Sequence, residues 1–377
     1  MKILILGDYS SFGYNLKKGF LKLGHEVDIL SDGDGWKKIN SEGLNLKYNM
    51  KNKITRYVSG MINRIKIIKF LENKSYDIIP IMNENFLSRK VKIIKNLIML
   101  RISIDKLKEI LNKNGKIYML ACGSDLTFYN YCGKYEEKKG YYIYNKSESE
   151  KLLKKEKKKR DKNFDKNLLE KIDGVIPVMY DYAEAYRNSS WQTVNKIKKT
   201  IPLCIDLENT EVLNELKEKI VIFHGISRED FKGTYFIRKA MENIKEKYPD
   251  KVEIIIDGKM PLEKYKKLLK KTNIIIDQCK SFGYGMNALY GMSMGKLVFS
   301  GNELENEIEF EKKDIPVVNI IPDIEDIEKK LEYFILNPKL IIETGNKARK
   351  FVEEFHEAEI VASQYIKLYN NDKMEEK

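Results

Sequence analysis

Short apolar runs alternate with amphipathic stretches along the first half of the chain. The run KILILG (2–7) is typical of a strand, and SSFGYNLKKGFLKLG (10–24) has the apolar spacing of a helix that ends at a glycine. Further strands are predicted at 25–30, 76–82, 115–121 and 173–179, and one solvated, lysine-rich helix at 147–172. Strands that alternate with helices in this way indicate parallel pairing through right-handed crossovers.

The same pattern starts again after residue 206. Strands are predicted at 219–225, 252–258, 273–278, 296–301 and 315–321, helices at 234–248, 261–271 and 285–295, and only helices beyond 323. The predicted fold is therefore α/β, with two doubly wound, Rossmann-like domains and a boundary near residue 205. Two such domains hold their ligand in the central cleft, at the carboxyl ends of the strands.

Composition narrows the class of protein. With 377 residues, of which 42% are hydrophobic, the chain is long enough for two globular cores. Its apolar runs are far shorter than the roughly 20 residues of a membrane span, and its start has no signal-peptide pattern. Four cysteines without a C-x-x-C pair and only three histidines argue against disulfides and against a structural zinc site. We expect a cytoplasmic protein with reduced, buried thiols.

The charge is divided unequally between the two halves. Residues 1–200 carry a net charge of +18 and residues 201–377 one of −5, within the total of +13. This asymmetry predicts that the first half meets an anionic partner, such as nucleic acid, an anionic membrane or a phosphorylated substrate. The basic stretch at 89–111 is either a contact for the inner membrane surface or a helix pair with one buried face. No interleaved aromatic and basic motif of a nucleic-acid-binding fold is present, so nucleic acid is not expected as a partner.

Two cations follow the first strand of the second half. Gly225 ends that strand, and Arg228 and Lys232 come directly after it, next to Gly233. A guanidinium fork, a point charge and a glycine that gives access to the backbone suit a diphosphate. The alternative is an ordinary charged loop.

The segment FGYGMNALYGMSMGKLVFSG (282–301) follows another strand and is almost free of charge. Gly283 and Gly285 precede the predicted helix at 285–295, whose first turn has no acidic side chain. The backbone amides of Met286 and Asn287 would then face the cleft as an anion site opposite Arg228. The spacing of the glycines predicts that a phosphate group approaches the backbone closely.

Two glycine-containing loops of the first half occupy equivalent places. The loop GDYSSFG places Asp8 and Gly13 at the end of the first strand, and its spacing does not match the G-x-G-x-x-G of a dinucleotide site. In ACGSDLT, Ser124 and Asp125 follow a strand. Either Asp125 faces the cleft, or one of the two residues caps the next helix.

A pair of aspartates after the second strand has the D-x-D spacing that binds a divalent ion in some sugar transferases. Asp32 and Asp34 lie in SDGDGW, where the two glycines indicate a tight turn more simply than a metal site. No metal site is therefore predicted.

Several of these motifs together resemble a known group of enzymes. The segments FHGISREDFKGTYFIRKAMENI, VEIIIDGKMPLEKYKKLL and NIIIDQCKSFGYGMNALYGMSMGKLVFSG are similar, in order and spacing, to the donor-binding domain of GT-B glycosyltransferases, especially the retaining enzymes of glycosyltransferase family 4. GDYSSFGYNLKKGFLKLGHEVDIL resembles the acceptor-side opening of that family, and NKARKFVEEFHEAEIVASQYIKLY its closing helices. The resemblance is specific over 200–370 and weak over 40–170.

The resemblance implies a division of labour along the chain. Residues 1–205 would bind the acceptor, 206–355 the nucleotide-sugar donor, and 356–377 would form a helix that returns to the first domain. It implies catalytic roles for Arg228, Lys232 and Asp125, with the two cations stabilising the charge that builds on the leaving diphosphate without a metal ion or other cofactor. The donor-binding residues would be Gly225, Gly233, Asp277, Gln278, Gly283, Gly285, Met286, Asn287 and Tyr290, and the acceptor-binding residues Asp8, Gly13 and Ser124.

The sequence departs from the family at two glutamates separated by seven residues. Alignment of ALYGMSMGKLV on the family's helix places Phe282 and Tyr290 at those positions. Either Asn287, or Asp277 with Gln278, holds the nucleotide instead, or the chain has lost catalysis and stabilises a partner enzyme. The favoured prediction is an active, retaining, metal-independent glycosyltransferase of cell-surface polysaccharide synthesis, which transfers a sugar to a carbohydrate or lipid-linked acceptor.

Overall fold

The computed structural model describes residues 1–49, 51–84, 90–93, 96–99, 107, 115–158, 164–208 and 210–374. In this part of the first half, the strands are β1 (Lys2–Leu6), β2 (Glu26–Ser31), β3 (Leu44–Asn45), β4 (Ile78–Met82), β5 (Lys90–Ile93), β6 (Asn96–Met99), β7 (Lys116–Ala121) and β8 (Gly174–Pro177). Six of them form one parallel sheet in the order β3-β2-β1-β4-β7-β8. Helices cover both faces of such a sheet, which explains why these strands are near-continuous apolar runs.

The helices of the first half lie between these strands. They are α1 (Phe12–Lys22), α2 (Lys53–Leu71), α3 (Leu126–Lys139), α4 (Lys146–Lys157), α5 (Phe164–Lys171), α6 (Tyr180–Arg187) and α7 (Ser190–Thr193).

A second parallel sheet starts at residue 220. In chain order its elements are β9 (Ile220–Ile226), α8 (Glu229–Lys232), α9 (Thr234–Lys247), β10 (Val252–Gly258), α10 (Leu262–Leu269), β11 (Ile274–Ile276), α11 (Met286–Ser293), β12 (Leu297–Ser300), α12 (Leu304–Phe310) and β13 (Val318–Asn319). The five strands described there pair in the order β10-β9-β11-β12-β13. The predicted α/β fold of two doubly wound domains is therefore confirmed.

The chain ends with helices, as predicted beyond residue 323. They are α13 (Ile324–Leu336), α14 (Pro338–Phe351), a π-helical turn (Val352–His356) and α15 (Ala358–Met374). Helix α15 returns to the first domain and packs so closely on α1 that a Cβ atom at Gly19 would collide with the backbone carbonyl of Ala358. The Tyr369 ring lies 4.8 Å from the ring of Tyr118 in β7.

The chain crosses between the two domains twice, and the crossings are bonded to each other. The Ile205 amide donates to the His356 carbonyl at 2.9 Å, and the Ala358 amide donates to the Ile205 carbonyl at 3.0 Å. His356 Nδ1 also lies 2.6 Å from the Leu203 carbonyl. The predicted domain boundary at 205 lies at this double crossing and stays a prediction.

Two predictions for the first half were wrong in detail. In the lysine-rich segment 147–172, predicted as a single helix, α4 ends at Lys157, residue 158 is a turn and α5 begins at Phe164. Residues 159–163 lie outside the described residues. Within the basic stretch 89–111, the described residues 90–93 and 96–99 form the antiparallel pair β5–β6, which contradicts the helix-pair interpretation of that part. The interpretation as a membrane contact stays a prediction. Apart from residue 107, the rest of 89–111 lies outside the described residues. No helix among the residues described combines the length and apolarity that a transmembrane span requires.

Candidate functional site

A cavity of about 540 Å³ lies between the carboxyl ends of the two sheets. The first domain lines it with the loops after β1, β2 and β7, and the second with the loops after β9, β10 and β11. The cavity is therefore where parallel α/β sheets bind their ligands. Among the residues proposed from sequence, those that line it are Ser124, Gly225, Arg228, Lys232, Asp277, Gln278, Gly285, Met286, Asn287 and Tyr290.

Lys232 is held inside the wall of the second domain. Its ammonium donates to the Gly225 carbonyl at 2.8 Å and to Asp277 Oδ1 at 2.7 Å, and both charged side chains are almost fully buried. The Asn287 amide donates to the same carboxylate oxygen at 3.3 Å. The structure thus joins four predicted donor-side residues in one buried polar network.

Arg228 differs from Lys232 in having no ion-pair partner among the residues described. Its guanidinium carbon lies 3.5 Å from the centre of the Phe231 ring, so the aromatic face supports the cation. The side chain lines the cavity. Lys259, which the sequence analysis missed, adds a second cation to this wall from the loop after β10. These two groups are placed to attract an anionic ligand.

Gly233 is required by the backbone conformation between two helices and does not line the cavity. Its φ of 72° turns the chain from α8 into α9, and a Cβ atom there would collide with the Cys279 sulfur. Both constraints require glycine. The turn at Gly233 thus leaves Lys232 at the end of α8, facing Asp277.

Most of the glycines in segment 282–301 accommodate protein packing. A Cβ atom at Gly283 would lie 2.7 Å from Asn306 Oδ1, one at Gly291 would lie 2.5 Å from Ile275 Cδ1, and Gly295 turns the chain with a φ of 71°. Only at Gly285, among these four, is the space open and on the cavity side. Gly285 precedes α11, whose first turn includes Met286 and Asn287. The expectation that the glycine spacing as a whole serves a phosphate was therefore too broad.

A carboxylate from the first domain already binds part of this glycine loop. Asp181 of α6 accepts hydrogen bonds from the amides of Phe282 at 3.2 Å and Gly283 at 3.1 Å, and from the Tyr142 hydroxyl at 2.5 Å. Burial raises the pKa of Asp181, while these donors oppose the rise. Gln278 supports the loop from the other side through the Gly283 carbonyl at 3.1 Å. The loop is thus fixed by both domains.

Phe282 and Tyr290, the two residues that the resemblance aligns with glutamates, make contacts between the domains. Phe282 packs in a cluster with the rings of Tyr135, Tyr142 and Tyr180, at centroid distances of 5.0–5.9 Å. The Tyr290 hydroxyl donates to the Ser10 carbonyl at 3.2 Å. Both side chains therefore hold the second domain against the first.

On the wall of the first domain, Ser124 lines the cavity and Asp125 does not. The Asp125 side chain is fully buried and caps α3, accepting from the Phe128 amide at 2.8 Å. Its other oxygen accepts from the Tyr186 hydroxyl at 2.9 Å. This differs from the expectation that Asp125 faces the cleft, and it matches the capping alternative.

Asp8 and Gly13 also lie behind the cavity surface. The Gly13 amide donates to Asp8 Oδ1 at 3.0 Å and the Ser41 hydroxyl to Asp8 Oδ2 at 2.7 Å. Burial raises the pKa of Asp8 to about 6. A Cβ atom at Gly13 would lie 2.7 Å from the Gly7 carbonyl oxygen, so the glycine permits a tight loop. Asp8 therefore shapes the loop after β1 and does not line the cavity.

The unequal charge of the two halves is partly used within the molecule. Basic side chains of the first domain pair with a row of glutamates on and beside α12 in the second. The pairs are Lys138–Glu305, Lys139–Glu303, Arg187–Glu309 and Lys199–Glu311. Arg187 binds Glu309 through two nitrogens, at 2.6 and 2.7 Å. Part of the positive field that predicted an external anion thus serves the contact between the domains.

Neither aspartate of the D-x-D pair is arranged for a metal ion. Asp34 Oδ2 is paired with the Lys37 ammonium at 2.5 Å, and Asp32 accepts from the Asp34 amide at 3.3 Å. Within the described ranges, no group of three or more His, Cys, Asp or Glu side chains could hold a metal ion. Metal independence itself stays a prediction.

The side chains that sequence reasoning missed at this cavity come mainly from the first domain. They include Trp36, Tyr129, Asp181 and Tyr182, together with Lys259. Asp181 had a signal, because it follows a predicted strand and opens a helix. Tyr129 and Tyr182 lie in helices without a motif, and Trp36 lies in SDGDGW, where only the aspartates were considered.

Comparisons with known proteins identify similar solved structures but no similar sequence family. No protein-family model matches the chain, and no curated protein sequence matches it. The sucrose-phosphate synthase of Thermosynechococcus elongatus is 14% identical, with a TM-score of 0.60 over 98% of both chains. HepE of Anabaena, solved with UDP and glucose, is 9% identical, with a TM-score of 0.60 over 98% of this chain and 100% of its own. An α-glucosyltransferase solved with UDP and DNA is 10% identical, with a TM-score of 0.59 over 98% of this chain and 100% of its own. These similarities establish that the chain has the GT-B fold.

Proposed function

We propose that the chain is a glycosyltransferase that moves a sugar from a nucleotide-sugar donor to a carbohydrate acceptor. The observation that carries this proposal is the wall of the second domain, where Arg228, the open side of Gly285 and the first turn of α11 face one cavity. A guanidinium opposite a helix N-terminus suits a diphosphate. The bound UDP of HepE and of the α-glucosyltransferase supports the same assignment.

In this mechanism, Arg228 binds the donor diphosphate and stabilises the negative charge that develops when the glycosidic bond to it breaks. Lys232 contributes its charge from within the wall, where Asp277 and the Gly225 carbonyl fix its position. Because these groups and α11 supply the positive potential, we propose that the transfer needs no metal ion. We also propose retention of the anomeric configuration, as the family resemblance implies.

The other donor-side residues divide into two groups. Gly225, Asp277, Gln278, Gly285, Met286, Asn287 and Tyr290 line the cavity and are proposed to bind the donor directly. Gly233 and Gly283 are proposed to act through the backbone geometry of the two loops.

The proposal places the enzyme in the synthesis of a cell-surface polysaccharide, such as capsule, exopolysaccharide or lipopolysaccharide, with a free or lipid-linked acceptor. Helix α2 supports work at an anionic membrane surface. It exposes Ile54, Val58, Met61, Ile62 and Ile65 along one face. The sequence from Lys47 to Leu71 contains lysines and arginines and no acidic residue.

Thermal unfolding with UDP, GDP, dTDP, ADP and CMP tests the donor site. A nucleotide at 100 times its Kd adds about 2.7 kcal/mol to the free energy of unfolding and raises the midpoint. We expect one nucleotide to do so with the wild type and not with Arg228→Ala. Arg238→Ala is the matched control, because Arg238 lies in the same domain and does not line the cavity. Stabilisation that survives Arg228→Ala would refute the assignment.

The second candidate function is a non-catalytic subunit that stabilises a partner glycosyltransferase. Two observations favour it: Phe282 and Tyr290, which the resemblance aligns with the family's glutamates, hold the domains together, and α2 exposes an apolar face. This function predicts no midpoint shift with any nucleotide. That result would put the subunit first.

A further inference from the structure

Trp36 is an exposed aromatic side chain at the mouth of the cavity. It keeps 41% of its surface accessible, whereas Trp191, the other tryptophan of the chain, is 5% exposed in the core of the first domain. Trp36 lines the cavity together with Asp34 and Lys37 of the same loop. A large ring beside charged groups on a cavity wall indicates a binding surface, because a tryptophan without such a role is usually buried.

The loop that carries Trp36 is held rigidly against the loop after β1. Asp34 Oδ2 accepts from the Ser10 amide at 2.9 Å, and the Lys37 ammonium donates to the Ser10 hydroxyl at 2.6 Å. Ser10, Asp34 and Lys38 all have φ values of 50–53°. Side chains with a Cβ atom rarely adopt this conformation, and it persists only where the surroundings enforce it. The backbone that carries the tryptophan is therefore held in place at the cavity.

The chemistry of this surface matches a sugar ring better than a metal ion or a phosphate. The Lys37 ammonium already occupies the place that a cation would take at Asp34. The Asp34 carboxylate disfavours an anion. A flat apolar ring with a carboxylate and an ammonium beside it suits a pyranose, because one face of the sugar carries C–H groups and its edge carries hydroxyls that donate and accept.

We propose that Trp36, with Asp34 and Lys37, forms a pyranose-binding subsite for the acceptor. That the bound sugar is the acceptor rests on the proposed function. Sugar binding itself does not depend on the donor site, because Arg228 lies on the wall of the other domain. Asp34, one of the two aspartates with the spacing of a metal motif, thus becomes part of a carbohydrate site.

Tryptophan fluorescence tests this subsite directly. In Trp191→Phe, Trp36 is the only tryptophan, and we expect a saturable change of its emission with at least one sugar of a panel of methyl pyranosides. The panel contains glucose, galactose, mannose, rhamnose, N-acetylglucosamine and glucuronic acid glycosides. Trp36→Phe, which keeps only the buried Trp191, should show no change. If Trp191→Phe does not fold, the difference between the wild-type and Trp36→Phe titrations gives the same answer.

The outcomes separate the subsite from the donor site. No sugar response, or a response to UDP and the other nucleotides alone, would overturn the inference. A sugar response without any nucleotide-induced midpoint shift would support the subsite and refute the donor assignment. Where the nucleotide shift is seen and turnover is measurable, Trp36→Ala should raise the KM for the acceptor at least tenfold and leave the KM for the donor unchanged. An unchanged acceptor KM would also overturn the inference.

Discussion

The two walls of the cavity are built in different ways. The wall of the second domain is centred on a buried network in which Lys232 binds the Gly225 carbonyl and Asp277. The wall of the first domain consists of separate loops, in which Ser10, Asp34 and Lys37 hold each other in place. The first arrangement suits a ligand part that many enzymes share, such as a diphosphate. The second can change loop by loop and suits a variable acceptor.

The walls are also fixed to each other at the glycine loop. Asp181 of the first domain binds two amides of that loop, and Tyr290 of the second domain binds the Ser10 carbonyl. This comparison predicts that changes in the second wall affect catalysis and stability together. Changes at the bonds between the walls should weaken binding and cost less stability than changes in the second wall.

The largest effect is expected at Lys232. Lys232→Met removes one partner of a buried ion pair and leaves Asp277 charged and unpaired, which should lower the free energy of unfolding by about 3–5 kcal/mol. Loss of the cation should also reduce kcat by about 10²–10³-fold. Urea unfolding and a transfer assay measure the two effects.

The double variant Lys232→Met with Asp277→Asn separates these roles, since it removes both charges. We expect most of the stability to return while turnover stays low. Recovery of turnover together with stability would show that Lys232 only holds the wall.

The second effect is a loss of stability in acid that arises in the second half of the chain. Burial lowers the pKa of both His224 and His356 from 6.5 to about 4. A lowered folded-state pKa contributes stability that is present above pH 6.5 and is lost as the pH falls towards 4. Each histidine should account for on the order of 3 kcal/mol of this loss. Urea midpoints between pH 7 and 4 for wild type and His356→Gln measure it.

Two residues of the first half serve as controls for this pH dependence. His25 is only partly buried, and His25→Gln should leave most of the acid loss in place. Asp8 affects stability in the opposite direction. Its pKa is raised to about 6, so its contribution to stability is present below pH 3.8 and is lost as the pH rises through 6. Asp8→Asn removes this opposing contribution, so its free energy of unfolding should fall more steeply with decreasing pH than that of the wild type. An unchanged pH profile in His356→Gln would contradict the assignment.

The smallest effect is expected where the first domain binds the glycine loop. Asp181→Asn replaces one acceptor oxygen by a donor that faces existing donors, which should cost about 1–3 kcal/mol of stability. Because the loop precedes α11, nucleotide binding should weaken by about tenfold, as measured by calorimetry. Glu184→Gln on the same helix is the matched control. An unaltered nucleotide Kd in a destabilised Asp181→Asn would restrict Asp181 to a structural role.

The sequence predicted the second half of the molecule better than the first. The strands and helices from 219 to 301 appear at the predicted positions, because each apolar run is bounded by a glycine or a charged turn. The cavity-lining positions of Arg228, Lys232 and Gly285 followed from the rule that ligands bind after parallel strands.

Contacts between distant segments could not be predicted. Asp181 binds amides about 100 positions away, and Trp36 reaches the cavity only because Ser10 and Asp34 meet. Asp125 could cap a helix or face the cleft from its local sequence alone, and burial decided for the cap. Helical and strand patterns are likewise ambiguous in short basic segments, as at 90–93 and 96–99.

The double crossing at Ile205 and His356 determines which relative motions of the domains are easy. A single connecting strand permits both bending and twisting, whereas two strands bonded side by side resist torsion and act as a hinge with one axis. Opening about such an axis would change the separation and the relative tilt of Arg228 and Trp36 along a single path. The donor and acceptor walls would then meet in the same alignment in every catalytic cycle.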